Sequence, residues 1–206
     1  YANVDNFDKA APQVPLERRP EIDKWILSLL NSLIAEVNAD LEDYEPTKAA
    51  RAISNFVGEN LSNWYVRLNR KRYWGGEMNE DKLSAYQTLY ECLLTVSKLM
   101  APIAPFYSDM LYRDLTGSAT SVHLTDFPVA DEKLIDKVLE KQMQTAQCIT
   151  SMVLSLRRKE NIKVRQPLKT IMIPVLDKEQ EDTINAVSGL VLNEVNVKEM
   201  KLVGND

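Results

Sequence analysis

Hydrophobic residues in the first half of the chain recur at intervals of three and four positions, the spacing of amphipathic helices. The first run predicts a long helix that opens at Pro20 and closes before Pro46. A second run predicts a helix from Pro46 to Trp74, with Gly75 and Gly76 as its stop signal. The predicted core stripe of this second helix contains Ile53, Val57, Leu61, Trp64 and Leu68.

Three more helices are predicted farther along the chain. The third covers about residues 81–100, and the fourth covers about 106–115 before Gly117. The predicted apolar face of the third helix contains Leu83, Tyr86, Tyr90, Leu93, Leu94 and Ser97. The stretch SVHLTDFP, residues 121–128, predicts an irregular connector, and a fifth helix follows over about 131–159.

After residue 160 the pattern changes. Residues 170–173 predict a short strand between Pro167 and Pro174, followed by a charged helix over 177–188 and a second strand over 196–203. The predicted fold is mainly α, a bundle of about five helices with a small C-terminal β-α-β appendage. The predicted divisions are an extended linker over residues 1–20, the helical bundle over 21–160 and the appendage over 161–206.

The composition narrows the possible partners and compartments. The chain has 206 residues and a formal net charge of −5, so bulk electrostatics argue against DNA binding. No apolar run approaches the roughly 20 residues of a membrane span, and no signal peptide opens the chain. Cys92 and Cys148 form neither a disulfide framework nor a zinc pattern, so we expect two small core residues in a cytoplasmic protein. Because the chain starts at Tyr1, we also expect it to be a piece of a longer protein.

The sequence shows none of the usual catalytic constellations. His123 is the only histidine, and it lies in the connector without a paired Ser or Cys nucleophile, so a solvated or structural role is expected. The sequence also contains no glycine-rich phosphate loop. The chain by itself is therefore predicted to be non-catalytic, with no cofactor or metal site of its own.

The stretch LSNWYVRLNRKRYW, residues 61–74, concentrates aromatic and cationic side chains in this acidic chain. At about 100° per residue, Arg67, Arg70 and Trp74 fall within about 60° of arc beside the core stripe. One interpretation is a helix edge whose long cations cover apolar surface. The other is a platform that binds phosphates and stacks a base or ribose on an aromatic ring.

A second basic segment, RRKENIKVRQPL at residues 157–168, has five cationic residues and one glutamate. Its first cations lie at the end of the fifth helix, where they complement the helix dipole. Lys163 and Arg165 lie beyond that helix, where the dipole offers no such explanation. Two basic segments in an acidic chain favour a polyanionic partner, because nucleic acid responds to the charges nearest to it.

Six stretches of the sequence resemble, in order and at family-like spacing, the isoleucyl-tRNA synthetases in the region that follows their catalytic core. They are YANVDNF (1–7), IDKWILSLLNSLI (22–34), YEPTKAARAISNFVGENLSNWYVRLNRKRYW (44–74), AYQTLYECLLTVSKLMAPIAPF (85–106), SVHLTDFP (121–128) and NIKVRQPL (161–168). In this class I synthetase family the region is the helical anticodon-binding domain. The bundle is shared in outline with the valyl, leucyl and methionyl enzymes, whereas LSNWYVRLNRKRYW together with NIKVRQPL resembles the isoleucyl enzyme in particular.

The resemblance implies that the parent protein is an isoleucine–tRNA ligase of protein biosynthesis, whose catalytic core uses ATP and Mg²⁺. The HIGH and KMSKS signatures of that nucleotide-binding core are absent from this sequence, so the chain is expected to bind the tRNA for isoleucine without activating the amino acid. Trp64 is expected to lie in the core. The residues that the resemblance makes candidates for tRNA binding are Arg67, Arg70, Lys71, Arg72, Trp74, Lys163 and Arg165.

Two alternatives stay open. The bundle could be a structural module whose basic stretches dock on its own catalytic domain, with little tRNA binding by the isolated chain. It could also be the equivalent domain of a valyl-tRNA synthetase, although NIKVRQPL argues against that assignment.

Overall fold

The computed structural model describes residues 2, 4–74 and 76–204, and the chain divides into two compact units, Tyr1–Asp136 and Lys137–Asp206. The first unit contains the helices α1 Glu21–Glu42, α2 Pro46–Asn55, α3 Arg70–Trp74, α4 Glu80–Leu99 and α5 Pro105–Thr116. The second unit contains α6 Lys137–Lys159, β1 Leu168–Val175, α7 Lys178–Val195 and β2 Val197–Gly204. The predicted mainly α fold with a small β-α-β element is confirmed. None of the described helices is long and apolar enough to cross a membrane.

The helix α1 forms the centre of the first unit. It begins directly after Pro20, whose φ of −57° and missing N–H suit the position before a helix, and it ends before Tyr44, which has a positive φ of 60°. Its side chains Trp25, Ile26, Leu30 and Val37 are at most 1% exposed. Each such burial contributes about 1.5–3 kcal/mol before the entropy cost of ordering is subtracted.

The chain from Pro46 to Trp74 is helical, but it is not the single α-helix that was predicted. After α2, residues Phe56–Val66 form a π-helix, in which hydrogen bonds join residues five apart, and a turn at Asn69 separates it from α3. The wider turn moves the core stripe, so Phe56 and Tyr65 are buried while Val57 and Leu68 are only half-buried. Trp64 is buried as expected. The predicted stop signal at Gly75 lies outside the described residues.

The helix α4 matches its predicted range and part of its predicted face. Its buried positions include Tyr86 and Ser97 as predicted, but also Ser84, Gln87 and Thr88, whereas the other four predicted residues are half-buried. The half-buried ones are Leu83, Tyr90, Leu93 and Leu94. The prediction left out Ser84, Gln87 and Thr88 because polar residues are mostly exposed, but here their side chains point inward and hydrogen-bond neighbouring segments.

One of those neighbours is the N-terminal segment, which packs on α4. The backbone N–H of Val14 donates to Gln87 Oε1 at 2.9 Å, and the buried Arg19 donates from Nη1 to Thr88 Oγ1 at 2.8 Å. Nearer the start of the chain, Lys82 Nζ lies 2.8 Å from Asp5 Oδ2, and this hydrogen bond lowers the pKa of Asp5. The segment is therefore irregular but anchored along its length, and its predicted role as a linker to a catalytic core stays a prediction.

The fourth predicted helix is confirmed as α5, which ends at Gly117 with the positive φ of 67° that favours glycine. The fifth predicted helix, α6, begins six residues later than predicted. The Asp131 side chain instead caps a short 3₁₀ turn, Glu132–Leu134, by accepting from the N–H of Lys133 at 3.0 Å. Of the two cysteines, Cys92 is buried as predicted, but Cys148 on α6 is exposed.

In the second unit α7 packs on α6 and on a two-stranded parallel sheet. The register runs from Leu168 opposite Val197 to Val175 opposite Gly204, so β1 is longer than predicted and includes Pro174, whereas β2 has its predicted length and begins one residue later. The buried side chains of α7 are Ile184, Val187, Val191 and Val195. The helix α6 belongs to this second unit together with α7 and the sheet, and it packs on α7. The functional domain limits predicted from the sequence stay predictions.

Candidate nucleic-acid interface

The stretch of residues 61–74 is divided between the interior and the surface of the first unit. Its buried side chains are Leu61, Trp64, Tyr65, Asn69 and Tyr73. Its exposed side chains include Arg67, Arg70, Lys71 and Trp74. Residues 67–74 thus present three cations and an indole to solvent, and beneath them the Tyr73 ring packs on that of Tyr86.

The two exposed arginines form two separate cation–aromatic pairs. The Arg67 guanidinium carbon lies 5.8 Å from the ring centroid of Trp64, and its Nε donates to the carbonyl oxygen of Asn63 at 2.7 Å. The Arg70 guanidinium carbon lies 5.8 Å from the ring centroid of Trp74, whose side chain is 59% exposed. The predicted grouping of Arg67 with Arg70 and Trp74 assumed one regular α-helix, and the π-helix and the turn at Asn69 make that assumption wrong. The part of that grouping that the structure contains is the pair of Arg70 and Trp74.

Arg72 has a different environment from its neighbours in the sequence. Its Nη1 and Nη2 donate to the two carboxylate oxygens of Asp23 at 2.6 and 2.9 Å, and its Nε donates to Asp81 Oδ2 at 3.0 Å. Further bonds to the Asn69 and Ser84 side chains and to the Asp81 carbonyl oxygen occupy the rest of the fork. The Arg72 side chain is 14% exposed. The N–H donors of Arg72, which was a predicted tRNA-binding residue, are therefore occupied by internal partners.

Asp23, which the sequence analysis did not identify, is the centre of that internal network and is fully buried. Besides the Arg72 fork, it accepts from the hydroxyl groups of Tyr65 at 2.8 Å and Ser84 at 3.0 Å. A carboxylate three residues before Ile26 on the apolar side of α1 is the sequence signal that could have revealed it.

The pKa values of Arg72 and of two tyrosines in and beside this network differ from their ordinary values. Burial alone would lower the pKa of Arg72, but its hydrogen bonds with Asp23 and the attraction of that carboxylate raise the pKa above its ordinary value, so Arg72 stays charged. Burial is the main cause that raises the pKa of Tyr65 and of Tyr73, and both phenols therefore stay neutral at physiological pH.

The second basic segment repeats this division of roles in the second unit. Arg157 is 3% exposed, and its Nη1 donates to the carbonyl oxygens of Lys163 at 3.1 Å and Gln166 at 3.0 Å. Its Nη2 donates to the carbonyl oxygen of Asn196 at 3.0 Å. Arg157 thus fixes the loop after α6, and the side chains of Lys163 and Arg165 on that loop are exposed.

Charge is distributed unevenly along the chain. Residues 1–136 hold 14 Lys and Arg against 21 Asp and Glu, whereas residues 137–206 hold 11 against 9. The first basic segment is thus a local cationic surface on an acidic unit, and the second belongs to a mildly basic unit. The described part of the chain contains no group of three or more His, Cys, Asp or Glu arranged to hold a metal ion. His123 is exposed, with Nε2 3.3 Å from the carbonyl oxygen of Pro105.

The chain is similar to tRNA ligases over nearly its whole length. A family model described as the anticodon-binding domain of tRNA ligase matches residues 23–172. The chain is 64% identical over 208 residues to the isoleucine–tRNA ligase of Bacteroides thetaiotaomicron and 64% identical over 203 residues to that of Porphyromonas gingivalis. It is 38% identical over 208 residues to the isoleucine–tRNA ligase of Thermus thermophilus. These matches cover 98% of this chain but only 18%, 18% and 20% of the respective relatives.

Proposed function

Because the chain belongs to the anticodon-binding domain family of tRNA ligases, we propose that it is the tRNA-docking part of an isoleucine–tRNA ligase. The observation that carries the proposal is the exposed cation–aromatic surface formed by Arg67, Arg70, Lys71 and Trp74 on an otherwise acidic unit. The similarity of nearly the whole chain to isoleucine–tRNA ligases supports the choice of tRNA.

In this proposal the exposed cations of the first unit bind the sugar-phosphate backbone of the tRNA. Arg67, Arg70 and Lys71 supply N–H donors to phosphate oxygens, and Trp74 offers a face on which a base or ribose stacks. Arg72 does not touch the tRNA, because its donors are used by Asp23, Asp81 and their neighbours. Phosphate contacts fix position and affinity, so these residues contribute little to the choice of anticodon.

Lys163 and Arg165 form a second proposed contact, carried by the loop that Arg157 fixes. Both side chains are exposed, and the surrounding unit has more cationic than acidic residues. A small cationic loop of this kind adds phosphate contacts whose strength falls with salt concentration.

The remaining functions belong to the longer protein. The chain spans about a fifth of the length of the relatives that it matches. We propose that the rest of the parent binds ATP and Mg²⁺, activates isoleucine and esterifies it to the tRNA in the cytoplasm, while this chain holds the tRNA.

The experiment that tests the proposal is a titration of this chain with the tRNA for isoleucine and with an unrelated tRNA, at about 50 and 200 mM salt. We expect binding near 10⁻⁴–10⁻⁶ M, roughly the range of non-specific nucleic-acid contacts, with a steep salt dependence. Arg70→Ala should weaken binding, and Arg51→Ala, which removes an exposed cation from α2 of the same unit, is the matched control. If the chain does not bind tRNA even at low salt, docking by the isolated unit is excluded, and the exposed arginines would face another part of the parent protein instead.

A further inference from the structure

Four helical segments of the first unit meet at the carboxylate of Asp23. Asp23 lies on α1, Tyr65 on the π-helix, Arg72 on α3 and Ser84 on α4. The carboxylate accepts at least four hydrogen bonds, two of them from the Arg72 fork, and it is fully buried. Bidentate Arg–carboxylate pairing fixes angle as well as distance, so this contact orients α3 on α1.

The helix α3 depends on such a contact for its orientation. It has five residues, and helices this short are not stable in water without packing. One of its side chains, Tyr73, is buried beneath it, while Arg70, Lys71 and Trp74 are exposed. The Tyr73 ring packs on the Tyr86 ring of α4, and the Arg72 fork bonds α3 to α1.

Stability alone explains the network poorly. Removing a carboxylate and a guanidinium from water costs about as much as their attraction returns, so a buried pair adds little stability compared with apolar side chains of the same size. Its best-supported benefit is a unique geometry. Unique geometry is what a cation–aromatic surface needs if it is to match the fixed spacing of phosphates.

We propose that Asp23 is a positioning residue for tRNA docking: through Arg72 it holds α3 so that Arg70, Lys71 and Trp74 meet the tRNA backbone. This inference rests on the proposed function. Asp23 touches no tRNA itself. Asp81 assists from the surface, because its carboxylate bonds the same guanidinium at 2.9 and 3.0 Å but is 52% exposed.

The experiment compares Asp23→Asn with Asp109→Asn in the same chain. Asp109 is a matched control, because its carboxylate also accepts from an arginine, Arg113 at 2.8 Å, and from a serine, Ser121 at 2.6 Å. We expect Asp23→Asn to weaken tRNA binding by roughly three- to tenfold, and Asp109→Asn to leave it within twofold. Far-UV circular dichroism and urea unfolding establish that each variant is folded under the binding conditions.

A double-mutant cycle separates positioning from a general loss of structure. If Asp23 acts through α3, Arg70→Ala should cost much less affinity in the Asp23→Asn background than in the wild-type chain. Fully additive losses would overturn the proposal, as would unchanged affinity in Asp23→Asn. If Asp23→Asn does not fold, Tyr65→Phe removes one hydrogen bond to the same carboxylate and serves in the same cycle.

A second measurement does not depend on tRNA. In protein labelled with 5-fluorotryptophan, the Trp74 resonance is assigned with Trp74→Phe, and Trp64 is the internal reference. We expect Asp23→Asn to move the Trp74 resonance toward that of free fluorotryptophan while the Trp64 resonance stays in place. If the wild-type chain binds no tRNA but the Trp74 resonance moves in Asp23→Asn, Asp23 does position α3, and it is the proposed tRNA docking that is wrong. An unmoved resonance overturns the positioning itself.

Discussion

In each of the two basic segments one arginine bonds to internal partners while others are exposed, but the two internal arginines have different partners. Arg72 is bonded to the carboxylates of Asp23 and Asp81, so its charge is neutralised inside the first unit. The partners found for Arg157 are three backbone carbonyl oxygens, which carry no formal charge. The same residue type therefore orders both segments, but only in the second does it also leave a net positive charge.

This difference predicts that the two segments attract tRNA in different ways. In the first unit, attraction depends on the geometry of the exposed side chains, because the unit as a whole is acidic. In the second unit, which is mildly basic, the charge of Arg157 adds to those of Lys163 and Arg165. The positive electrostatic potential of this unit therefore depends less on how individual side chains are oriented. The predictions below test this contrast, in order of decreasing effect on stability.

The largest effect is expected for Arg72→Met. The substitution leaves the fully buried carboxylate of Asp23 without a charged partner, which should lower the free energy of unfolding of the first unit by about 3–5 kcal/mol. Urea unfolding followed by circular dichroism measures the change. Arg113→Met removes an arginine that pairs with Asp109 on a more exposed site and should cost less than about 1 kcal/mol.

A second substitution at the same site sharpens this prediction. Replacing both partners, Asp23→Leu with Arg72→Met, removes the unpaired charge and should recover much of the loss, because apolar side chains replace a buried ion pair at little cost. If Arg72→Met proves as stable as the wild-type chain, Asp23 does not depend on Arg72, and the description of a closed internal network is wrong.

A smaller effect is expected for Arg157→Met in the second unit. Three carbonyl oxygens lose a charged donor, so the unit should lose about 2–3 kcal/mol of unfolding free energy. Hydrogen exchange of the Leu168 amide, which donates to Asn196 at 3.1 Å, should accelerate as the loop loosens.

Arg157→Lys separates the charge of this residue from its geometry. Lysine keeps the positive charge but cannot reproduce the planar fork, so the loop should loosen while the salt dependence of tRNA binding stays close to that of the wild-type chain. Arg157→Met removes the charge that Arg157→Lys keeps. If both variants lower the salt dependence of tRNA binding equally, the charge of Arg157 does not contribute to the attraction of tRNA, and the proposed contrast between the two segments is wrong.

The sequence was informative about element boundaries where proline or glycine marks them. Pro20, Pro46 and Gly117 each stand where a helix begins or ends, because their backbone restrictions or freedoms act locally. The π-helix was not predicted, because a core stripe interpreted at the spacing of an α-helix continues through Leu61 and Trp64 without a visible break. Phe56 and Tyr65 lie on the wider turn and are buried, and burial against distant segments is not visible in the local sequence.

The roles of the candidate site residues likewise depend on contacts that the local sequence does not reveal. Arg70, Lys71 and Arg72 are consecutive, and nothing in their local sequence distinguishes the two exposed cations from the internal one. The distinction arises from Asp23, which is 49 positions away in the sequence, and from Asp81 on α4. Arg157 is a similar case, because one of its partners is 39 positions away. Residue type and spacing therefore predict where positive charge is concentrated but not which side chains remain exposed.

An alkaline transition should distinguish the two units without any substitution. Burial raises the pKa of Tyr65 and Tyr73 in the folded state, so they contribute stability at pH values below the ordinary phenol value near 10. That stability is lost as the pH rises above this value, by at most about 1.4 kcal/mol per pH unit for each phenol, because the unfolded chain ionises first. All eight tyrosines lie in residues 1–136, so the second unit should not share this loss.

Urea unfolding between pH 8 and 11 measures the loss, with α6 and α7 amides reporting the second unit by hydrogen exchange. Tyr73→Phe should make the decline shallower, since it removes one of these two phenols, together with its 3.4 Å hydrogen bond to the Ala85 carbonyl oxygen and its hydrogen bond with the Tyr65 side chain. Equal destabilisation of both units would mean that lysine or arginine deprotonation, rather than these phenols, drives the transition.

The smallest effect on stability is expected for Lys163→Ala and Arg165→Ala. Both side chains are exposed and lie outside regular structure, so each substitution should change the free energy of unfolding by less than about 0.5 kcal/mol. If each binds one phosphate, the slope of log affinity against log salt should fall by about one per substitution. Lys178→Ala, an exposed cation at the start of α7, is the control and should leave the slope unchanged. An unchanged slope in both loop variants would confine phosphate binding to the first unit, and tRNA docking would then depend on Arg67 and on the orientation of α3.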